Sequence, residues 1–423
     1  MKRVRILLLL VVLPFAIAYP SESQACDVVD TLRNQAKDSL IADSSLCDIC
    51  QPEPLPWPRN ITSGIDSLLK SDMFETSMVG MEVYDLTDDS VIYCYNERQR
   101  MRPASTMKMI VAVAALDRLG GSFRFNTSLY YTGSVDDGTL LGDVYCEGGM
   151  DPLFNGDDMN AFIESLRKTG IDSISGNVYA DLSMKDTLRR GEGWCWDDDN
   201  PVLTPLLVSG KDNFMKRFTS KLNEAGISLA GDTLEGITPD SAYHICTRFH
   251  TIDQVLMPMM KKSDNLFAEA LFYQLGADTG KKRVSAGEAR NVVNRLINKV
   301  GLSARDYYIA DGSGLSLYNY VSPHLEVALL RYAYANRNIY AHLFSSMPLA
   351  GADGTLAKRM REGYAQYNVR AKTGTVEGVS ALAGYATAAN GHKLCFAIIN
   401  MGIRRAAIGR RFQDRVCEIL CKP

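Results

Sequence analysis

The sequence predicts an α+β protein, an antiparallel sheet with helices, split by an inserted module of different texture. Three observations carry this. Both ends hold hairpin signals: β-rich stretches at 78–86 and 91–95 flank Thr87-Asp88-Asp89-Ser90, and strand-like stretches at 379–388 and 394–401 are joined through Asn390-Gly391. Helical apolar spacing runs over 252–275, 285–300, 323–335 and 405–421. Between 123 and 244 the pattern turns to short β-like runs, many turns and one clear helix at 159–168. Residues 75–122 and 245–423 are therefore expected to form one domain, with 123–244 as a second domain inserted in it.

The chain has 423 residues, 22% charged and 46% hydrophobic, which excludes a disordered or low-complexity protein and supplies ample core. Net charge is −3, from 46 basic and 49 acidic residues, so bulk electrostatics do not point to nucleic acid.

Along the chain, Lys2, Arg3 and Arg5 precede an apolar run at 6–18 interrupted by Pro14. A transmembrane helix needs about 20 apolar residues, so this run reads as the core of a secretory signal within 1–25. Ala16-Ile17-Ala18 and Ser23-Gln24-Ala25 both fit a small-x-small cleavage site. The second would leave Cys26 first, a candidate lipid anchor, although Ser-Gln-Ala is a poor lipid-attachment signal. Simple secretion is the plainer reading. Residues 26–74 form an N-terminal extension: a short helix, then Pro52, Pro54, Pro56 and Pro58 as an extended linker, then an amphipathic helix at 61–69. The segment 105–119 is apolar on nearly every face and ends at Gly120-Gly121, the signature of a buried helix.

Ten cysteines in an exported chain suggest disulfides, with pairings that the sequence leaves open. Cys47-Asp48-Ile49-Cys50 has neither a second such pair nor a nearby histidine, so zinc is not expected there.

The chemistry lies elsewhere. Only five histidines are present and no Gly-x-Ser-x-Gly elbow occurs, which weakens a Ser-His-Asp hydrolase. A lysine can replace histidine as base when burial and a neighbouring positive charge keep it neutral. Such a site wants Ser and Lys one helical turn apart. That spacing occurs at Ser67/Lys70, Ser105/Lys108 and Ser165/Lys168. Lys-Thr-Gly occurs at 168–170 and 372–374, and Ser-x-Asn at Ser175/Asn177 and Ser263/Asn265. Context separates them. Ser67/Lys70 and Ser165/Lys168 sit on amphipathic helices where the lysine is solvated, and Gly170 is a natural helix cap. Ser105 instead opens the helix that is apolar all round, so Lys108 needs a buried partner. Ser263-Asp264-Asn265 interrupts two helical stretches, and Lys372-Thr373-Gly374-Thr375 precedes the C-terminal hairpin, on a sheet edge that can align a peptide.

In this order the three motifs resemble those of penicillin-binding proteins and serine β-lactamases. The long separation of Ser105 and Ser263 leaves room for an inserted domain of about one hundred residues. That spacing resembles the class C low-molecular-mass penicillin-binding proteins, the serine D-Ala-D-Ala carboxypeptidase/endopeptidase family. So do Gly148-Gly149-Met150-Asp151-Pro152-Leu153, Gly193-Trp194-Cys195-Trp196-Asp197-Asp198, Asp311-Gly312-Ser313-Gly314-Leu315-Ser316 and Asp353-Gly354-Thr355-Leu356. The likeness covers roughly 75–403 and implies a penicillin-binding-protein/β-lactamase-like transpeptidase domain with an inserted second domain.

The resemblance implies an exported, periplasmic serine D,D-peptidase acting on peptidoglycan stem peptides, inhibited by β-lactams, with no metal or cofactor. Ser105 would be the nucleophile, Lys108 its base and Ser263 a proton relay placed by Lys108 and Lys372. Asn265 would bind the substrate backbone, Lys372 and Thr373 the terminal carboxylate, and Gly374 would leave room along the strand. The amides of Ser105 and Thr375 would form the oxyanion hole. Asp198 would meet the amino end of the stem-peptide side chain; read alone, 197–199 is equally a solvated acidic turn. A serine β-lactamase or D-amino-acid esterase shares the triad, and a silent wall-binding protein is the third alternative. Carboxypeptidase and endopeptidase specificity are not separated by these motifs.

Overall fold

The computed structural model describes residues 55–198 and 200–423; the leader, Cys26 and the Cys47/Cys50 pair lie outside them. Along the chain, helix α1 (Arg59–Leu69) precedes strands β1 (Met78–Asp85) and β2 (Ser90–Tyr95). Their turn is tightened by Asp85, whose carboxylate accepts the Thr87 amide at 2.8 Å, and by Asp89 at φ 50°. Helix α2 (Met107–Arg118) follows a short 3-10 turn at Ala104–Thr106, and Met107 to Leu116 are all buried.

The next stretch builds two sheets of its own. It runs β3 (Arg124–Tyr131), β4 (Ser134–Asp136), β5 (Thr139–Leu141), β6 (Val144–Gly148), α3 (Gly156–Lys168), β7 (Ser173–Ile174), β8 (Val178–Asp181), α4 (Phe214–Glu224), β9 (Ser228–Leu229), β10 (Thr233–Glu235) and β11 (Tyr243–Thr251). One sheet has the order β10-β8-β6-β3-β11 and the other β4-β5-β7-β9. Phe154, Phe162, Phe214 and Phe218 centre a core separate from those around the first sheet. Sequence reading placed the end of this stretch at 244, but β11 pairs with β3 as far as Thr251. It also missed α4, whose many polar and charged residues hide the spacing of Phe214, Phe218 and Leu222.

The chain then returns through α5 (Ile252–Lys261), α6 (Asn265–Ala277), α7 (Ala286–Lys299), α8 (Pro323–Ala335) and α9 (Arg337–Ser346). It closes with β12 (Arg370–Val376), β13 (Val379–Thr387), β14 (Lys393–Met401) and α10 (Ala406–Cys421). The antiparallel order β12-β13-β14-β1-β2 joins the two ends of the chain and leaves β12 on an edge. Period-two alternation splits its central strands between two cores. Ala381, Ala383, Ala397 and Ile399 face α2 and the α5–α9 helices, while Leu382, Phe396 and Ile398 face α1 and α10. No described helix is long and apolar enough to cross a membrane.

Two expectations change. Residues 26–74 are expected from sequence to be an extension, yet Ile61 and Ile65 of α1 are fully buried with Phe412, Val416 and Leu420 of α10. The seven described cysteines are free thiols rather than disulfides; Cys417 and Cys421, one turn apart on α10, are both buried. They behave as small apolar side chains.

Glu326, one turn into α8, is buried under the Ser105 turn. The Thr106 hydroxyl lies 2.8 Å from the Pro103 carbonyl and also contacts a Glu326 oxygen. A hydroxyl carries one proton and the Pro103 carbonyl can only accept it. The bond to Glu326 then takes its proton from the carboxyl. The other Glu326 oxygen is buried without a partner, which an ionised carboxylate would not tolerate. Burial accordingly pushes the Glu326 carboxyl up to about 8.

Two stability predictions follow from this packing. Ile65→Ala should cost about 2–5 kcal/mol in denaturant unfolding, as for other buried isoleucines, whereas a mere linker residue would be silent. A carboxyl raised in the folded state loses stability as pH climbs from its unfolded value to its folded one. Glu326→Gln keeps the donor to Thr106, so its stability relative to wild type should grow from about pH 5 to about pH 8 and then level off. A pH-independent difference would count against a neutral Glu326.

Candidate active site

Three distant segments converge on one cleft. Lys108 Nζ lies 2.9 Å from Ser105 Oγ, 2.8 Å from Asn265 Oδ1 and 2.6 Å from the Ser313 carbonyl. Lys372 Nζ donates to Ser263 Oγ at 2.9 Å and to the Thr373 carbonyl at 2.6 Å. Ser105 and Ser263 border a cleft of about 580 Å³ together with Thr355, Thr373 and Thr375. The Thr373 hydroxyl meets that of Thr355 at 2.8 Å. A second hollow of about 950 Å³ continues from Ser263 and Asn265 toward Pro152, Pro201 and Lys211.

Local backbone sets each part. The 3-10 turn and α2 put Ser105 and Lys108 on one face. Ser263 joins α5 to α6 in a left-handed conformation, φ 61°, uncommon for a residue with a Cβ. Asp264 then caps α6 by accepting the Leu266 and Phe267 amides, which fixes Asn265 in the first helical turn. Lys372, Thr373 and Gly374 ride on edge strand β12. A Cβ on Gly374 would lie 2.6 Å from the Pro103 carbonyl and 3.1 Å from the Ser105 amide, so only glycine lets the strand approach the nucleophile turn. Gly314, at φ 84°, does the same for the loop that supplies Ser313: its Cβ would overlap the Ala104 carbonyl.

That loop is held by two buried carboxyls. Asp311 accepts from the Gly314 amide at 2.8 Å, the Ser316 amide at 2.7 Å, Asn319 Nδ2 at 2.7 Å and Trp194 Nε1 at 2.7 Å. Glu269 on α6 accepts from the Gly312 and Ser313 amides at 3.1 and 2.8 Å. Burial, and then the charge of Asp311, push the Glu269 carboxyl up to about 8.

Both lysines are fully buried. Desolvation pulls Lys108 down to about 8, opposed by the negative charges of Asp311, Glu269 and Asp264. Burial, and then the charge of Lys108, hold Lys372 well below the ordinary lysine value. The site can therefore carry a neutral amine beside a serine hydroxyl near physiological pH.

The structure brings Ser105, Lys108, Ser263, Asn265, Lys372, Thr373, Gly374 and Thr375 together. One expected contact differs: Ser263 is bonded by Lys372, while Lys108 turns to Ser105, Asn265 and Ser313. Asp198 is exposed and borders a separate hollow of about 400 Å³ with Arg189, Arg190 and Trp196. That hollow shares Asn200, Pro201 and Val202 with the one beside Asn265. The rejected copies are solvated: Lys70 and Lys168 are exposed at helix ends, and Gly170 has φ 81°. Sequence reasoning did not single out Glu269 or Glu326. Their signal was an acid set in the apolar helices α6 and α8.

The chain as a whole is similar to several known proteins. The sequence pattern of the D-Ala-D-Ala carboxypeptidase 3 (S13) family matches residues 61–206 and 205–421. The D-alanyl-D-alanine carboxypeptidase DacB of Haemophilus influenzae is 27% identical over 407 residues, covering 76% of this chain and 85% of the relative. The D-alanyl-D-alanine carboxypeptidase of Actinomadura sp. (strain R39) is 26% identical over an alignment of 437 residues, covering 80% of each chain. The crystal structure of penicillin binding protein 4 (dacB) from Haemophilus influenzae superposes with a TM-score of 0.77 at 24% identity, covering 84% of this chain and 97% of that one. The Bd3459 predatory endopeptidase of Bdellovibrio bacteriovorus shares the fold at a TM-score of 0.53 and 18% identity, covering 80% and 91%. The fold is thus the α+β fold of penicillin-binding proteins, and with nearly all of its described length matched the chain belongs to the D-Ala-D-Ala carboxypeptidase 3 (S13) family.

Proposed function

We propose that the protein is an exported serine D,D-peptidase that cleaves the bond after D-Ala in peptidoglycan stem peptides through an acyl-enzyme on Ser105. The observation that carries this is the Ser105–Lys108 pair at 2.9 Å, with the Lys372–Ser263 pair bordering the same cleft. Export rests on the basic and apolar residues of the leader, which fit a periplasmic location; Cys26 remains the place for a lipid.

The hydrogen-bond inventory supports Lys108 as base. A neutral amine has two N–H groups and one lone pair. Asn265 Oδ1 and the Ser313 carbonyl can only accept, so they take the two protons. The lone pair is left for the Ser105 hydroxyl. Ser105 Oγ attacks the carbonyl as its proton passes to Lys108. Backbone amides of Ser105 and Thr375 receive the developing oxyanion, a contribution typically worth about 10²–10³ in rate per donor. Ser263, held by Lys372, returns a proton to the leaving amine. Lys108 bonds Ser105, Asn265 and Ser313 rather than Ser263, so on this reading its proton returns to Ser263 through substrate or water. Asn265 turns its oxygen to Lys108, which leaves Nδ2 to donate to a substrate carbonyl. Lys372 and Thr373 receive the carboxylate that follows the scissile bond, and water then releases the acid.

β-Lactams fit the same acylation, and the Haemophilus influenzae relative has been crystallised with a β-lactam. On this reading Asp198 would meet the amino end of the stem-peptide side chain; it is exposed on the hollow that shares Asn200, Pro201 and Val202 with the one beside Asn265. Arg190 lines the same hollow, and Arg189 beside it is already paired with Asp212.

A fluorescent penicillin should label the wild type on the peptide holding Ser105 and leave Ser105→Ala unlabelled by mass spectrometry. Rapid turnover without a lasting adduct would favour a β-lactamase, and no labelling of folded protein would favour a silent wall-binding role. Acylation should also slow as pH falls below about 8, because Lys108 then gains a proton. Lys108→Ala should lose about 10²–10⁴ in acylation rate together with that pH dependence, read by stopped-flow labelling.

A further inference from the structure

The cleft beside Ser105 is one-sided in charge. Lys358, Arg359 and Arg410 line it, and no acidic residue does. Arg359 is already neutralised: its guanidinium reaches Asp414 at 2.7 and 2.9 Å and Gln413 at 3.1 Å. Asp414 stands one turn beyond Arg410 on α10, where it would otherwise be the natural partner of Arg410. Arg359 occupies it instead. Lys358 and Arg410 have no acidic partner among the described residues. Arg410 is not loose, however. Its Nη2 donates to the Thr375 hydroxyl at 3.3 Å, and its backbone carbonyl accepts from Arg359 at 3.3 Å. The guanidinium is thus set at the edge of β12, two residues along from Thr373.

We propose that Arg410, seconded by Lys358, is a specificity-determining residue that pairs with the carboxylate following the scissile bond. This rests on the D,D-peptidase reading and deepens it. The four remaining guanidinium N–H groups suit a carboxylate that also meets the Thr373 and Thr375 hydroxyls. An amide in place of that carboxylate keeps one acceptor oxygen, turns the other position into a donor that the guanidinium cannot pair, and loses the charge pairing. The enzyme should therefore prefer a free acid after the cleaved bond. It should accept a cross-link whose neighbouring carboxylate is free and disfavour one that is amidated.

The test uses two peptides ending in D-Ala-D-Ala, one with a free C-terminus and one amidated, cleaved by the full chain and followed by mass spectrometry. Wild type should prefer the acid. Arg410→Gln should lower the acid-to-amide ratio of kcat/KM about 10-fold, and Arg410→Lys by less. The ratio is taken within one preparation, so a partly unfolded variant does not distort it. In wild type the ratio should also fall between about 50 mM and about 500 mM salt, since screening weakens an exposed ion pair. An unchanged ratio in Arg410→Gln, or a wild type indifferent to amidation, would overturn the assignment while leaving the D,D-peptidase reading intact. A wild type that cleaves neither peptide would remove that reading, and this one with it.

Discussion

Two lysine side chains without solvent exposure, Lys108 and Lys372, share the floor of one cleft, and most of the surrounding structure serves to hold them there. A charged ammonium in such a place would cost several kcal/mol, and two would repel. The protein resolves this by lowering both affinities for protons and by lining the amines with oxygens. Asn265 Oδ1, the Ser313 carbonyl and the Thr373 carbonyl each accept from one of them. The same desolvation that penalises the charge makes a lysine a usable base. The cost of folding the site and its chemical competence are one physical effect.

Holding those oxygens requires three segments of chain at closer range than side chains permit. Glycines at 374 and 314 provide the approach, and Ala104 and Ser263 take left-handed backbone where turns are tightest. Such conformations persist only when the surroundings over-determine them. Here the surroundings are the Asp311 and Glu269 carboxyls with their bundle of loop amides, and the neutral Glu326 beneath Thr106. The carboxyls are matched to their tasks: Asp311 carries many donors, whereas Glu326 has a single contact and stays protonated.

The cleft has two unlike arms. One, beside Ser105, is lined by cations without an acid; the other runs past Asn265 toward the β3–β11 stretch and includes Asp212, Lys211 and Asp264. On the D,D-peptidase reading this polarity would give a bound peptide a direction, with its anionic end at β12 and its longer body toward the second stretch, and edge strand β12 would add backbone pairing.

The α+β class, the terminal hairpins, the buried α2 helix and the three motif segments are legible in the amino-acid chain, because each has a local signature: alternation, helical spacing, a turn dipeptide or a one-turn pair. Burial context even separated Ser105/Lys108 from its two look-alikes. Tertiary structure decided everything that depends on residues far apart in the chain. Ile61 and Ile65 became core only because α10 returns from the far end of the chain to cover them. Lys108 turned to Ser313 and Asn265, and not to Ser263, because of how α6 and the 311–316 loop dock on α2. The even count of cysteines suggested bridges, yet the seven described ones are free, and Cys395, Cys417 and Cys421 among them pack in the apolar cores. Arg410 lines the cleft and meets Thr375 while Arg359, far away in the chain, takes Asp414, a pairing that no periodicity records.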